Sequence, residues 1–141
     1  NLLETERVLS VTPVGIAREE WSFQEKLLTA FGANHKRKSL DELVSGEIKV
    51  DWMRVALDAA RLAPSAVNRQ PWRFKVENNS IAVGMDSLKD NYKVSKRLDC
   101  GITMLHLEIG ARKAGVSGVW NFPVQKTEDD VEPNLIASYS V

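Results

Sequence analysis

Ala59-Ala60-Arg61-Leu62-Ala63-Pro64-Ser65-Ala66-Val67-Asn68-Arg69-Gln70-Pro71-Trp72-Arg73-Phe74 is the run on which the reading of this chain turns. Its first residues close a helix that the spacing predicts over Asp51 to Ala63, with Asp51 as N-cap. Met53, Ala56, Leu57, Ala60 and Ala63 fall on one stripe of it. Pro64 stops the helix, because it has no N–H and its ring clashes with the preceding turn. Between Pro64 and Pro71 lies a loop carrying the Ser65 hydroxyl, the Asn68 and Gln70 carboxamides and the Arg69 guanidinium. Flanking prolines lower the entropy of an unligated loop, so its polar groups can stand ready for a ligand. A carboxamide offers both donors and an acceptor, which suits the edge of a heteroaromatic ring. The same residues also suit a plain helix-terminating turn in which Ser65 and Asn68 satisfy local backbone groups. Chemistry alone leaves the two open.

Downstream, Trp72 to Val76 alternates as a strand, Asn78-Asn79 makes a hairpin turn and Ile81 to Val83 returns. Met85 to Arg97 reads as a loop with a short helical turn. A second long helix is expected from Leu98 to Ala114, with Ile102, Leu105 and Ile109 as its apolar stripe, widened by Met104, Leu107 and Ala111. Gly115 suits the position just past its end. Leu135 to Val141 reads as a last strand. Upstream, Arg7 to Thr12 reads as a short strand ended by Pro13 and Gly15. Arg18 to Phe31 is amphipathic through Trp21, Leu27, Leu28 and Phe31, as a helix or an ordered surface excursion. Lys36-Arg37-Lys38 is a compact basic run, and Ser39-Leu40-Asp41-Glu42 opens a helix that Gly46 closes. Helices and strands interleave without regular βαβ spacing, so the expected class is α+β with a central, mostly antiparallel sheet flanked by helices.

Composition narrows the function. The 141 residues carry 19 basic and 19 acidic side chains, so the chain lacks the basic excess of a dedicated nucleic-acid binder. Cys100 is the only cysteine, which excludes an intrachain disulfide framework and a multi-cysteine metal site. No apolar run reaches the ~18–20 residues needed to span a bilayer. The acidic first residues do not resemble a signal peptide, so the expected location is cytoplasmic and no membrane partner is expected. The chain begins with Asn1 rather than Met, which reads as a trimmed piece of something longer. No G-x-S-x-G, H-E-x-x-H, G-x-x-x-x-G-K-[ST] or G-x-G-x-x-G string occurs. His106 reads as a helix residue, His35 as a neighbour of the basic run and Cys100 as a small core residue, so no catalytic acid, base or nucleophile is expected.

The Ala59–Phe74 run resembles the signature of the flavin-dependent nitroreductase family. Three other stretches agree with it in spacing. Thr12-Pro13-Val14-Gly15 resembles the Gly turn near the family's C-terminus, and Lys36-Arg37-Lys38-Ser39-Leu40-Asp41-Glu42-Leu43 resembles its basic tail. Asp99-Cys100-Gly101-Ile102 with Gly115-Val116-Ser117-Gly118-Val119-Trp120 resembles its long central helix and the turn after it. Here a tail precedes a signature loop, as in the branch of the family whose members fuse two half-like units. The resemblance therefore implies residues 1–46 as the tail of a first unit and 47–141 as a second unit. It also implies FMN at the boundary, with Pro64, Ser65, Ala66 and Asn68 against the flavin ring and Arg37, with Lys36 or Lys38, against its phosphate. NAD(P)H would be the donor and a nitroaromatic, quinone or similar molecule the acceptor. A homodimer, or association with a missing N-terminal half, would complete the site. The family's R-R-S-x-R phosphate motif is absent from this sequence. That departure leaves a second implication open, a non-catalytic or degenerate half that acts as a scaffold or binds flavin weakly.

Overall fold

The computed structural model of the chain describes residues 14–16, 20, 22, 23, 26, 36–90, 94–123 and 134–141. The chain divides into two compact units, residues 1–33 and 34–141. Within the first, Lys26 N–H donates to Ser22 O at 3.0 Å, one turn of helix, while Val14 and Ile16 are exposed. The strand expected over Arg7 to Thr12 and the apolar positions Trp21, Leu27, Leu28 and Phe31 lie outside the described residues, as does His35.

The second unit is built from α1 (Leu40–Leu43), β1 (Val44–Ser45), α2 (Asp51–Ala60), β2 (Trp72–Glu77), β3 (Ser80–Met85), α3 (Lys96–Lys113), β4 (Val119–Asn121) and β5 (Leu135–Ser140). Among the described residues the strands form one sheet in the order β1-β2-β3-β5-β4. β1 runs parallel to β2, and the other neighbours are antiparallel. The architecture is α+β with a mixed, mostly antiparallel sheet.

Local chemistry explains most boundaries. Ser39 and Glu42 form the full capping box that opens α1. α2 starts one residue away from expectation: Val50 is the N-cap, without a side-chain bond, and Asp51 is the first helical residue, where its charge complements the helix dipole. The last carbonyl of α2 faces a vacancy in the hydrogen-bond ladder, since its i+4 partner would be Pro64. Ala60 O instead accepts from Ala63 N at 3.1 Å and from Thr103 Oγ1 on α3 at 2.7 Å. α3 ends at Gly115 (φ 79°), with Val116 N–H donating to Ala111 O and Gly115 N–H to Arg112 O. That pair of bonds is the Schellman ending, which only a residue at ease with positive φ closes cheaply.

The core lies between α2, α3 and one face of the sheet. Trp52, Met53, Ala56, Leu57 and Ala60 of α2 meet Trp72, Phe74, Ile81, Val83, Ala137 and Tyr139 of the strands. Burying each large apolar side chain there contributes about 1.5–3 kcal/mol. α3 corrects the expected stripe. Leu105 and Ile109 are more than half exposed and Ile102 is only partly covered, whereas Cys100, Thr103, Met104, Leu107, Gly110 and Ala111 are buried. The physical reason is size. A Cβ on Gly110 would stand 2.7 Å from Ala56 Cα, so α3 turns its small residues to α2 and lets the backbones close up. The described residues contain no helix long and apolar enough to cross a membrane.

Candidate functional site

Residues 65–70 leave α2 as a single 3₁₀ turn, Ala66–Asn68, tied by Asn68 N–H to Ser65 O (3.0 Å) and Arg69 N–H to Ala66 O (3.1 Å). Three residues that are not glycine take left-handed backbone angles here: Val67 (φ 47°), Asn68 (φ 55°) and Gln70 (φ 48°). Asn tolerates that region, but for a β-branched side chain it costs on the order of 1–2 kcal/mol. Such conformations persist where the surroundings over-determine them.

The surroundings do so from three directions. Within the loop, the Ser65 hydroxyl accepts from Gln70 N–H at 2.9 Å. From α3, the Asp99 carboxylate accepts from Ala66 N–H at 3.1 Å and from Arg69 Nε at 2.6 Å. Both side chains of that ion pair are nearly buried, at 3% and 10% exposure. From the basic run, Arg37 donates to Asn68 Oδ1 and Asn68 Nδ2 donates to Lys36 O at 2.9 Å. Gln70 reads the same run with both ends of its carboxamide. Its Nε2 donates to Lys36 O at 3.0 Å, and its Oε1 accepts from Lys38 N–H at 2.8 Å. Lys38 Nζ in turn donates to Gln70 O at 3.2 Å and Arg69 O at 3.4 Å.

The two sequence-predicted sets thus sit on one surface. Pro64, Ser65, Ala66 and Asn68 belong to the loop, and Lys36, Arg37 and Lys38 lie across it although about thirty positions away in sequence. The side chains differ in what they have left to offer. The Asn68 carboxamide is engaged at both ends by the basic run. The Ser65 hydroxyl accepts from backbone and keeps its proton to donate. Val67 stands 64% exposed, an apolar side chain at the crest of the strained turn. Gln70 and Trp72 are buried supports. The Trp72 indole N–H is buried with no hydrogen-bond partner among the described residues, at a cost of about 1–3 kcal/mol.

Electrostatics follow burial. Desolvation and then the neighbouring Arg73 hold the Lys38 ammonium below the ordinary lysine range. Burial pushes the Cys100 thiol up to about 12, which fits an inert core residue. Asp99 is the residue holding this loop that sequence reasoning missed. It reads as an ordinary acid in the first turn of a helix, and its grip on the loop exists only in three dimensions. Among the described residues no three His, Cys, Asp or Glu side chains gather as a metal site.

The architecture and this loop define a nitroreductase-like α+β protein. The family model described as "Putative TM nitroreductase" matches residues 1–111, and the chain belongs to that family. A crystal structure of a "putative nitroreductase" from Thermotoga maritima superposes with a TM-score of 0.53 at 20% identity. The match covers 74% of this chain and 42% of that one, so this chain spans less than half the length of the structure it resembles. No curated protein matches the chain.

Proposed function

We propose that this chain supplies one side of an FMN site in a nitroreductase-type oxidoreductase. The observation that carries the reading is the junction of the basic run with the loop, through Arg37 and Asn68 and through Lys36 O with both carboxamides. FMN is a flat apolar ring with polar edges and a phosphate tail. The donor set fits that shape of molecule. It places cationic side chains beside a preformed loop that presents an exposed apolar crest and a free hydroxyl proton. When bound, FMN would supply the redox chemistry, accepting hydride from NAD(P)H and passing electrons to a nitroaromatic, quinone or similar acceptor.

The chain's own residues bind and orient. Arg37, with Lys36, meets the phosphate, because a guanidinium matches an anion near two negative charges in a bidentate fork. Pro64, Ser65, Ala66 and Asn68 meet the ring, with Asn68 acting through its bond to Arg37 as much as by direct contact. Lys38 braces the loop carbonyls. Ser65 and Asn68 exchange no proton covalently. The parallel pairing of Val44 with Phe74 and Ser45 with Lys75 supports the last residues of the tail proposed at 1–46 as an edge strand of the unit proposed at 47–141. Leu98, Leu105 and Ile109, exposed along one side of α3, support pairing with a second copy or with a separate N-terminal half. A cytoplasmic location suits NAD(P)H use.

One observation favours a second reading, a degenerate half that serves as a scaffold. The Asn68 carboxamide is already engaged at both ends by Arg37 and Lys36, and the R-R-S-x-R string is missing. The visible spectrum of purified protein separates the two. Yellow protein, or apo protein that takes up FMN on reconstitution, is the result expected of the oxidoreductase. A colourless sample that stays apo contradicts it and supports the scaffold.

A further inference from the structure

The sheet face turned away from α2 and α3 holds a trough. Strand alternation sends Trp72, Phe74 and Val76 of β2 and Ile81, Val83 and Met85 of β3 into the core. The residues between them stand on the opposite face, and the register lines them up in rows. Arg73 pairs with Gly84, and Gly84 with Leu135 of β5. One step along, Lys75 pairs with Ala82, and Ala82 with Ser138. Each row has a long side chain on β2 and either nothing or a single methyl on β3. The gap from Arg73 to Leu135 is two strand spacings, about 9.5 Å.

Gly84 keeps that gap open. It sits where the β3–β5 register shifts, and a Cβ on it would stand 3.1 Å from Asn134 O. The resulting cavity of about 190 Å³ is bordered by Arg73, Ala82, Gly84 and Leu135, with Ser45 at its rim. Drug-sized ligands occupy about 300–1,000 Å³, so this cavity suits a molecule of one small ring.

Arg73 gives the trough its chemistry. Its Nη1 is spent on backbone, donating to Trp72 O at 2.7 Å and to Gln70 O at 3.4 Å. Nε and Nη2, the donors along the other edge, bond to no acceptor among the described residues, and Arg73 makes no ion pair there. That edge is a fork matched to the two oxygens of a carboxylate. Other charges near the trough are committed: Lys75 pairs with Glu77 at 3.2 Å, and Asp86 with Lys96 at 2.7 Å. The Ser45 hydroxyl gives its proton to Phe74 O at 3.2 Å and adds no further donor. One unspent cationic fork calls for one negative charge.

We propose that the trough binds a small monocarboxylate with an apolar ring for a body. The carboxylate meets the Nε–Nη2 edge of Arg73, and the ring lies over Gly84 and Ala82 against Leu135. The site goes beyond the flavin reading and uses none of the residues assigned to the cofactor.

Benzoate, titrated into the flavin-free chain at constant ionic strength and followed by amide NMR, tests the site. Benzoate saturably shifts the amides of residues 73–75, 82–85 and 135. Benzamide, the same shape without the charge, and acetate, the charge without the ring, do so at least tenfold more weakly. Arg73→Gln weakens the benzoate response tenfold or more. Ala82→Leu fills the trough without touching a charge, gives the same loss, and serves as the readout should Arg73→Gln fail to fold. Arg112→Gln, on the exposed end of α3, leaves the response unchanged. An equal response to benzamide, an undiminished response in either folded variant, shifts confined to residues 65–68, or no saturable shift overturns the proposal.

Discussion

The Asp99 carboxylate on α3 clasps Arg69 Nε at 2.6 Å and, with its other oxygen, accepts the Ala66 N–H at 3.1 Å. One side chain from the long helix thereby pins both ends of the 3₁₀ turn. Its near-complete burial raises the stakes, because a buried charge deprived of its partner is far costlier than a broken surface pair. Asp99→Asn is expected to lower stability by about 3–5 kcal/mol in urea unfolding. A loss below about 1 kcal/mol, the range of exposed pairs, would contradict this account.

Arg37 is expected to matter to flavin and little to the fold. Arg37→Ala weakens FMN binding by roughly tenfold to a hundredfold, the worth of a charge-assisted bond. Lys113→Ala, at the exposed C-terminal end of α3, changes it less than twofold. Flavin fluorescence titration makes the comparison. Equal and negligible effects would remove the phosphate assignment.

Legibility in the sequence followed the strength of local signals. α2, α3 and the β2–β3 hairpin could be read because Pro64, Asn78-Asn79 and Gly115 punctuate them sharply. β1 could not: two residues have no period, and Val44 and Ser45 are a strand only because β2 lies alongside. The buried face of α3 was read in part, through Cys100, Met104, Leu107 and Ala111, and its centre was misplaced because both sides of the helix carry aliphatic residues. Close packing selected the side with Cys100, Thr103 and Gly110 over the greasier Ile102–Leu105–Ile109 side. At the site, the loop and the basic run were each legible as chemistry. That Asn68 and Gln70 spend their carboxamides on the basic run was not, since nothing local announces a bond across thirty residues.

The close approach of α3 to α2 gives a direct test of the packing. Gly110→Ala places a methyl 2.7 Å from Ala56 Cα and 2.9 Å from Ala59 Cβ, where backbone has to move. Despite alanine's better helix propensity, the substitution is expected to destabilise by about 1–3 kcal/mol. Gly101→Ala on the same helix meets nothing within 4 Å and is expected to be neutral or stabilising. Thermal unfolding of the pair decides it, and the reverse order would contradict the packing.

Cys100 sets an alkaline limit. Its folded thiol is pushed up to about 12, mainly by burial, from an ordinary 9.0. Between those values the unfolded chain has released its proton while the folded chain keeps it, so stability falls as pH rises from about 9 toward 12 and is fully present below 9. Cys100→Ala removes that component of the decline. Thiol-reagent labelling at pH 8 is expected to be slow in the native chain and fast in urea. Rapid native labelling would contradict the burial.

The exposed apolar positions of α3 predict association. Leu105→Glu is expected to shift the sedimenting species toward the monomer while leaving the monomer's stability within about 0.5 kcal/mol, as surface substitutions usually do. A wild-type chain that is monomeric at all concentrations would contradict pairing with a second copy.

A crystal structure of the chain soaked or co-crystallised with FMN tests the central claim most directly. The account predicts the isoalloxazine against Pro64–Asn68 and the phosphate at Arg37. Flavin bound away from both, with the loop and the basic run still holding only each other, would contradict it.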